Sequence, residues 1–141
     1  QPTPLMPTEI GQRSSPEEIQ DPLLRYRAQR GHGGRSLEFV AVDQGVEMGM
    51  LSYEDRSDTA LAFVYEIFVL PQFRKRGVAA MLLSYAEAFA VRQQCQAVRL
   101  EPRPLDETPE LSQLESWYRR TGYLRSAEYP KLMEKSLPIP D

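Results

Sequence analysis

The chain has 141 residues, of which 41% are hydrophobic and 26% charged, and its formal net charge is -3 at pH 7. This length allows one domain with a buried core, and no apolar stretch is long enough to span a membrane. The acidic balance argues against nucleic acid as a partner, and one cysteine and one histidine cannot supply an internal disulfide or the usual ligands of a zinc site. We expect a cytoplasmic protein without a metal and without nucleic-acid or membrane partners.

The sequence divides into an arm, one domain and a short tail. Residues 1–15 contain three prolines and few large apolar side chains. This composition predicts a loose N-terminal arm with at most one short edge strand around Leu5 to Ile10. The single domain is expected to span residues 16–137, and residues 138–141 are expected to form a C-terminal tail.

A helix is predicted between Ser15 and the glycine-rich segment 31–34. Ser15 and Pro16 are typical of an N-cap and a first helical position, and glycines favour the end of a helix. Pro22 lies inside this segment and is a candidate break. His32 could serve as a base, but a loop histidine is most often solvated, and we expect that for His32.

Three strands are predicted next. Residues 36–42 and 46–53 have the composition of strands, and Asp43-Gln44-Gly45 between them is typical of a hairpin turn. The third strand, over 60–70, is rich in β-branched and aromatic residues and ends at Pro71. Glu66 is its only acid.

The second half of the chain predicts two more helices and three more strands. Apolar residues recur at helical spacing after residue 77, and Gly122 is a typical helix stop. The predicted elements are a helix over 78–94, a strand over 97–101, a helix over 111–120, and strands over 123–129 and 132–137. Together with the first helix and three strands, this order describes a mixed α/β domain.

A basic turn separates the strand at 60–70 from the helix at 78–94. Gly77 follows three cations and precedes a first helical turn whose N–H groups lack partners within the helix and can bind an anion. Neither a P-loop nor a dinucleotide fingerprint is present. Taken alone, the segment is either a pyrophosphate site or an ordinary solvated turn. Its residues are Arg74, Lys75, Arg76, Gly77, Val78, Ala79 and Ala80.

Three segments together resemble the motifs of the GNAT (GCN5-related N-acetyltransferase) family. The stretch V-L-P-Q-F-R-K-R-G-V-A at 69–79 is similar to the family signature V-x-P-x-x-R-x-x-G-x-G/A. The stretch W-Y-R-R-T-G-Y at 117–123 looks like the family's aromatic-Tyr-x-x-x-G-aromatic helix end, and residues 131–137 are similar to its closing strand. Their occurrence in the right order, within residues 37–137, makes the resemblance specific.

The resemblance implies a GNAT fold, in which a central, mostly antiparallel mixed sheet is flanked by helices. The sheet would splay open beside the strand at 60–70 and hold acyl-CoA in the cleft, and a bulge is expected in that strand. Main-chain groups near Phe68 and Val69 would pair with the pantetheine, and Arg74 to Ala80 would hold the pyrophosphate. The implied cosubstrate is acetyl-CoA.

The same resemblance implies catalytic candidates. Tyr118 matches the family position whose hydroxyl lies near the cofactor sulfur and can protonate the leaving thiolate, and the alternative is that it only packs beside Trp117. Glu66 is the candidate general base, acting through water, and its alternatives are a structural hydrogen bond or a solvent-facing position. Glu101 and water are the reserve bases. Cys95 is expected to be a packing residue rather than a nucleophile.

The implied function is that of an acetyl-CoA-dependent N-acetyltransferase acting on a primary amine by direct attack in a ternary complex. The amine is a small molecule, or a lysine or N-terminus of a peptide or protein. Leu111 stands near the place where family members often carry a cofactor-contacting Asn, so the alternative is a catalytically silent acyl-CoA-binding regulatory module. Acetylation of aminoacyl-tRNA is disfavoured by the acidic pI. The acceptor, the acyl chain length and the choice between monomer and homodimer stay open.

Overall fold

One open sheet of seven strands carries the helices of the described chain. The protein is represented by a computed structural model that describes residues 8–104 and 110–138. The elements are β1 (Glu9–Arg13), α1 (Pro22–Gly31), β2 (Ser36–Asp43), β3 (Val46–Arg56), β4 (Leu61–Val69), α2 (Val78–Arg92), β5 (Ala97–Leu100), α3 (Leu111–Arg120), β6 (Leu124–Arg125) and β7 (Met133–Ser136). Among the described residues, no helix combines the length and the apolarity needed to cross a bilayer.

The strand order is β1-β2-β3-β4-β5-β7-β6. Every neighbouring pair is antiparallel except β4 and β5, which run parallel. The predicted mixed, mostly antiparallel sheet is therefore confirmed. The β2–β3 hairpin closes through Gln44 and Gly45, whose φ angles of 52° and 79° are those of a two-residue type I′ turn.

Helices cover both faces of the sheet. On one face, Leu24 and Ala28 of α1 pack with Val40, Met50 and Phe68. On the other face, the buried residues of α2 share a second core cluster with residues of β2, β3, β4, β5 and β7. The buried residues of α2 are Val78, Leu82, Leu83, Ala86 and Ala90. Because α1 and α2 lie on opposite faces, a side chain of β4 meets one helix or the other according to its position along the strand.

A β-bulge in β4 changes which face its side chains occupy. Opposite β3, Ser52 pairs with Glu66 while Tyr53 pairs with Val64, so Tyr65 is an extra residue in β4. Val64 therefore faces α2, whereas Glu66, two residues later, lies on the α1 face together with Phe68. The bulge expected from the family resemblance is present, and it directs Glu66 toward α1.

The start of α1 differs from the prediction. Pro16–Glu18 forms a single 3-10 turn and Ser15 makes no side-chain cap hydrogen bond. The α-helix begins at Pro22, after Asp21, whose side chain accepts hydrogen bonds from the N–H groups of Leu23 and Leu24. Ser15 thus precedes only a 3-10 turn, and the break considered at Pro22 is present. A helix continuous from Ser15 is wrong, because Asp21 and Pro22 provide a second cap and first helical position.

Three strands also differ in extent. The edge strand lies at Glu9–Arg13 rather than around Leu5 to Ile10, and residues 1–7 and 139–141 of the predicted arm and tail lie outside the described residues. The two C-terminal strands are shorter than predicted, because the hydroxyl of Ser126 accepts hydrogen bonds from the N–H groups of Glu128 and Tyr129 and turns the chain.

We predict that Gly49→Ala destabilises the protein. A Cβ at this position would lie 2.9 Å from the carbonyl oxygen of Phe68 and 3.3 Å from Leu82 Cδ1, so β4 and α2 must shift, at a cost of about 1–3 kcal/mol. Chemical denaturation measures the change in the free energy of unfolding. Gly34→Ala is the matched control, because a Cβ there meets nothing within 4 Å, and equal destabilisation by both variants would contradict the prediction.

Candidate active site

β4 and β5 part after four residues, and a cleft opens along the free edge of β4. β5 pairs with β4 only from Leu61 to Val64. Among residues 8–104 and 110–138, the second half of β4 therefore has β3 on one side and no strand on the other. The cleft has a volume of about 710 Å³ and lies between this half of β4, the start of α2 and one side of α3. Its lining includes Glu66, Phe68, Val69, Arg74, Lys75, Gly77, Ala79, Ala80, Arg103, Trp117 and Tyr118.

The free edge of β4 presents main-chain groups to the cleft. Leu70 donates its N–H to Met48 on the β3 side. Successive residues of a strand direct their amide groups to opposite sides, so Ile67 and Val69 direct theirs to the open side. The carbonyl oxygen of Val69 accepts a hydrogen bond from Arg74 Nε at 3.0 Å. This edge can add one extended partner by main-chain hydrogen bonding.

The extra residue of the bulge forms a wall of the cleft. The carbonyl oxygen of Tyr65 accepts a hydrogen bond from Arg103 Nη2 at 3.3 Å, and the guanidinium carbon of Arg103 lies 5.1 Å from the ring centroid. The ring also lies against Gly31, where a Cβ would be 2.6 Å from it. Tyr65 lines a second, separate groove of about 520 Å³ as well, and so stands between the two cavities.

The basic turn contains two residues with left-handed backbone. Lys75 has a φ of 64° and Gly77 a φ of 80°, and such a conformation is unusual for lysine. Gly77 is the N-cap of α2, and no side chain of the described residues caps the helix there. The first N–H groups of α2 are thus available at the positive end of the helix dipole.

Six of the seven predicted cofactor-binding residues of this turn line the cleft, and Arg76 does not. Arg74, Lys75, Gly77, Val78, Ala79 and Ala80 line the cleft, as do Phe68 and Val69 of β4. The side chain of Val78 is buried in the core, so only its main chain can face a ligand. Arg76 is absent from the lining, and its guanidinium carbon lies 5.6 Å from the ring centroid of Phe73.

Tyr118 projects from α3 into the opposite side of the cleft. Its side chain contacts the rings of Trp117 and Tyr123, with centroids 4.9 Å and 5.7 Å away. Burial raises the pKa of Tyr118 to about 12, because the phenolate would lose hydration. Within residues 8–104 and 110–138 the hydroxyl has no hydrogen-bond partner. It is therefore a protonated donor facing the cleft.

Glu66 is held by an ion pair with α1. Its Oε2 accepts a hydrogen bond from Arg27 Nε at 2.6 Å, and the side chains are only 9% and 12% exposed. The guanidinium carbon of Arg27 also lies 4.4 Å from the centroid of the Phe68 ring. The structural hydrogen bond considered as an alternative for Glu66 is thus present, although the residue still lines the cleft.

Arg27 is a site residue that the sequence reasoning missed. It lies three residues after Leu24 and one before Ala28, both fully buried, so its charge sits within the inward stripe of α1. A cation in the apolar stripe of a helix and an acid in an apolar strand together indicate a buried ion pair, because each charge is costly to bury unless it is paired.

His32 also has a partner that the sequence did not reveal. Its Nδ1 lies 2.8 Å from Oε1 of Glu38, which is almost completely buried, while the imidazole is about half exposed. His32 is thus exposed in a loop, as expected, and in addition it contacts Glu38. Glu38, Ser52 and Glu66 lie directly opposite one another on β2, β3 and β4, so a polar row crosses the sheet beneath α1. Ser52 Oγ is buried and has no hydrogen-bond partner among the described residues.

The remaining candidates are accounted for by local contacts. Glu101 lines the cleft and forms an ion pair with Arg103, whose Nε lies 3.4 Å from Glu101 Oε2. Cys95 is buried in the core, and burial raises the pKa of its thiol. Both observations favour packing over nucleophilic chemistry for Cys95.

A comparison with family models matches residues 6–111 to the acetyltransferase (GNAT) family. The match covers more than half of the chain and includes β4, the basic turn and α2. None of the curated proteins compared with the sequence matches it.

Solved structures share the fold at low sequence identity. IAA acetyltransferase from Bacillus cereus has a TM-score of 0.71 and 16% identity, covering 93% of this chain and 100% of its own. A GNAT family acetyltransferase from Elizabethkingia anophelis with acetyl-CoA bound has a TM-score of 0.70 and 13% identity, covering 92% and 98%. PaiA N-acetyltransferase from Thermoplasma acidophilum in complex with coenzyme A has a TM-score of 0.58 and 16% identity, covering 81% and 67%.

We predict that Arg27 and Glu66 are strongly coupled. Arg27→Met leaves a mostly buried carboxylate without its cation and should cost about 3 kcal/mol in the free energy of unfolding, and Glu66→Gln should be destabilising for the converse reason. The loss in the free energy of unfolding of the double variant should be smaller, by at least about 1 kcal/mol, than the sum of the losses of the two single variants. Arg35→Met is the control, because the Arg35–Asp58 pair is exposed and should contribute less than about 1 kcal/mol. Additive losses would count against the coupling.

Proposed function

The chain belongs to the acetyltransferase (GNAT) family, whose members transfer acetyl or other acyl groups, and from this premise we propose that it is an acetyl-CoA-dependent N-acetyltransferase acting on a primary amine. One observation carries the proposal: a single cleft is lined by the free edge of β4, by the glycine-bearing turn at the start of α2 and by a protonated tyrosine on α3. These three groups would meet, in turn, the pantetheine, the pyrophosphate and the sulfur of a CoA thioester.

The cofactor half of the proposal rests mainly on main-chain groups. The amides of Ile67 and Val69 are oriented to pair with the pantetheine, as a strand pairs with a sheet edge. The N–H groups that follow Gly77 are suited to the pyrophosphate, with Arg74 and Lys75 supplying positive charge. Arg74 is held beside β4 by its hydrogen bond from Nε to the Val69 carbonyl oxygen.

The proposed reaction is direct attack of a neutral amine on the thioester carbonyl carbon. The carbon–nitrogen bond forms, the carbon–sulfur bond breaks, and the Tyr118 hydroxyl donates a proton to the departing sulfur. We propose that Glu66 accepts the amine's proton through a water molecule. Its Oε1 would be the acceptor, since Oε2 already accepts a hydrogen bond from Arg27. Glu101 and solvent water are the other acceptors at this edge of the cleft.

The Arg27–Glu66 ion pair favours a second candidate function. Glu66 Oε2 is engaged in an ion pair that packs α1 on the sheet, and this structural role suits an acyl-CoA-binding regulatory module without turnover. The two functions differ in a simple measurement. Titration with acetyl-CoA should reveal binding in both cases, whereas release of free CoA in the presence of amines occurs only for the enzyme.

We predict that the protein releases CoA from acetyl-CoA when supplied with one or more members of a panel of amines, polyamines, amino acids and lysine peptides. Tyr118→Phe should lower kcat by about 100-fold while the KM for acetyl-CoA changes little, because the lost hydroxyl acts on the departing sulfur. The matched control is Tyr129→Phe, an exposed tyrosine outside the cleft. Unchanged turnover in Tyr118→Phe would remove Tyr118 from the mechanism, and acetyl-CoA binding without CoA release on any amine would favour the regulatory module.

A further prediction concerns pH. Tyr118 acts as an acid only while protonated, and burial raises its pKa to about 12, compared with about 10 for an ordinary tyrosine. The acid form is therefore lost only as the pH rises through the raised value. The rate should increase with pH as the amine loses its proton, and it should show no falling limb between roughly pH 8 and 10. A falling limb in that range that disappears in Tyr118→Phe would contradict this assignment.

A further inference from the structure

We propose that Glu87 of α2 is a positioning residue for Tyr118. Its carboxylate joins α2, which begins at the basic turn, to the end of α3, which carries Tyr118, through Tyr123 and Lys135. The inference rests on the proposed function, because it concerns the residue assigned there as the acid. Glu87 itself lies outside the lining of the cleft.

Both oxygens of the Glu87 carboxylate are in use. Oε2 accepts a hydrogen bond from the Tyr123 hydroxyl at 2.9 Å, and Oε1 accepts one from Lys135 Nζ at 3.1 Å. Lys135 Nζ also donates to the carbonyl oxygen of Thr121 at 2.9 Å. One carboxylate on α2 is thereby connected to the segment after α3 and to β7, and charge assistance strengthens these hydrogen bonds.

Thr121 and Tyr123, the two residues of this segment that the cluster holds, both hydrogen-bond to the main chain of Tyr118. Its carbonyl oxygen accepts hydrogen bonds from Thr121 Oγ1 at 2.7 Å and from the N–H groups of Thr121 and Tyr123, both at 3.0 Å. Gly122 closes this turn with a φ of 105°, and a Cβ there would lie 3.1 Å from Lys135 Cε. The last turn of α3 is therefore tied to Glu87 through side chains on both sides of Gly122.

The burial of Tyr123 explains why the cluster needs Glu87. Tyr123 is completely buried, and burial, followed by the nearby charge of Glu87, raises the pKa of its hydroxyl. The hydroxyl therefore stays protonated, and a buried donor requires an acceptor. The ring of Tyr123 contacts the ring of Tyr118, so a displaced Tyr123 would displace Tyr118 as well.

The position of α3 depends on few other buried contacts. Tyr118 is its one buried residue, although Leu114 and Trp117 also contact the core in part. One cosubstrate would have to reach both the turn before α2 and the hydroxyl of Tyr118. The relative placement of α2 and α3 therefore decides whether that hydroxyl meets the sulfur, and a displacement of about 1 Å can reduce a rate by about 100-fold.

The test compares Glu87→Gln with the matched control Glu134→Gln. Glu134 is on β7 next to Lys135, pairs with Arg99 at 2.8 Å and is half-buried, so it reports the general effect of losing one ion pair. Glu87→Gln should lower kcat by about 10-fold with the KM for acetyl-CoA within about twofold, and Glu134→Gln should leave both nearly unchanged. Tyr123→Phe keeps the buried ring and should reproduce the fall in kcat. It replaces Glu87→Gln in the test if that variant does not fold.

A double-variant cycle separates positioning from a general loss of structure. In a Tyr118→Phe background, Glu87→Gln should cause no further fall in kcat, because the group that it positions is already missing. A fall as large as in the wild-type background would overturn the proposal, as would an unchanged kcat in both Glu87→Gln and Tyr123→Phe.

A second readout does not require turnover. Trp117 is the single tryptophan of the chain and contacts Tyr118, so quenching of its fluorescence by acrylamide reports the packing of α3. Quenching should increase in Glu87→Gln and stay at the wild-type level in Glu134→Gln, and equal quenching in the two would overturn the proposal. If the wild-type protein releases no CoA, the proposed function fails, and this measurement alone decides whether Glu87 fixes α3.

Discussion

β4 pairs with β5 over only four residues, so the second half of that edge of β4 is unpaired in the described part of the chain. The candidate site is built around this unpaired edge. Main-chain groups removed from water need partners. On this edge, two carbonyl oxygens accept hydrogen bonds from Arg74 and Arg103, which arrive from opposite ends of the cleft. The parting of two parallel strands thus creates a groove lined by hydrogen-bonding groups, and the start of α2 and the inner side of α3 supply its remaining walls.

The bulge at Tyr65 couples that groove to α1. Without the extra residue, Val64, Glu66 and Phe68 would share one face of the sheet; with it, Glu66 faces Arg27, and the two charges pair in a largely buried place. An isolated charge could not be buried there at acceptable cost. The ion pair therefore holds α1 against the strand that forms the floor of the cleft, and it engages one of the two carboxylate oxygens of Glu66.

Local sequence signals predicted the parts of the fold that depend on local physics. Asp43-Gln44-Gly45 indicated a hairpin because Gly45 readily adopts positive φ, and Gly77, which also has a positive φ, lies where the helical spacing of apolar residues begins. Asp21 was overlooked because Ser15-Pro16 offered a similar cap signal. The pairs Arg27–Glu66 and His32–Glu38 could not be derived in the same way. Both depend on where α1 lies on the sheet, and the first depends also on the bulge in β4.

The same distinction explains why the sequence supports a proposal for the cofactor and none for the acceptor. Main-chain groups of Val69 and the turn at Gly77 are placed by the fold, whatever side chains surround them, so a chain that shares the fold can share this half at low sequence identity. Around Tyr65, by contrast, the shape of the cleft is set by side chains, including Arg103 stacked on its ring and the absence of a Cβ at Gly31. Recognition of an acceptor depends on such particular contacts, and these contacts change with every substitution while the fold stays the same.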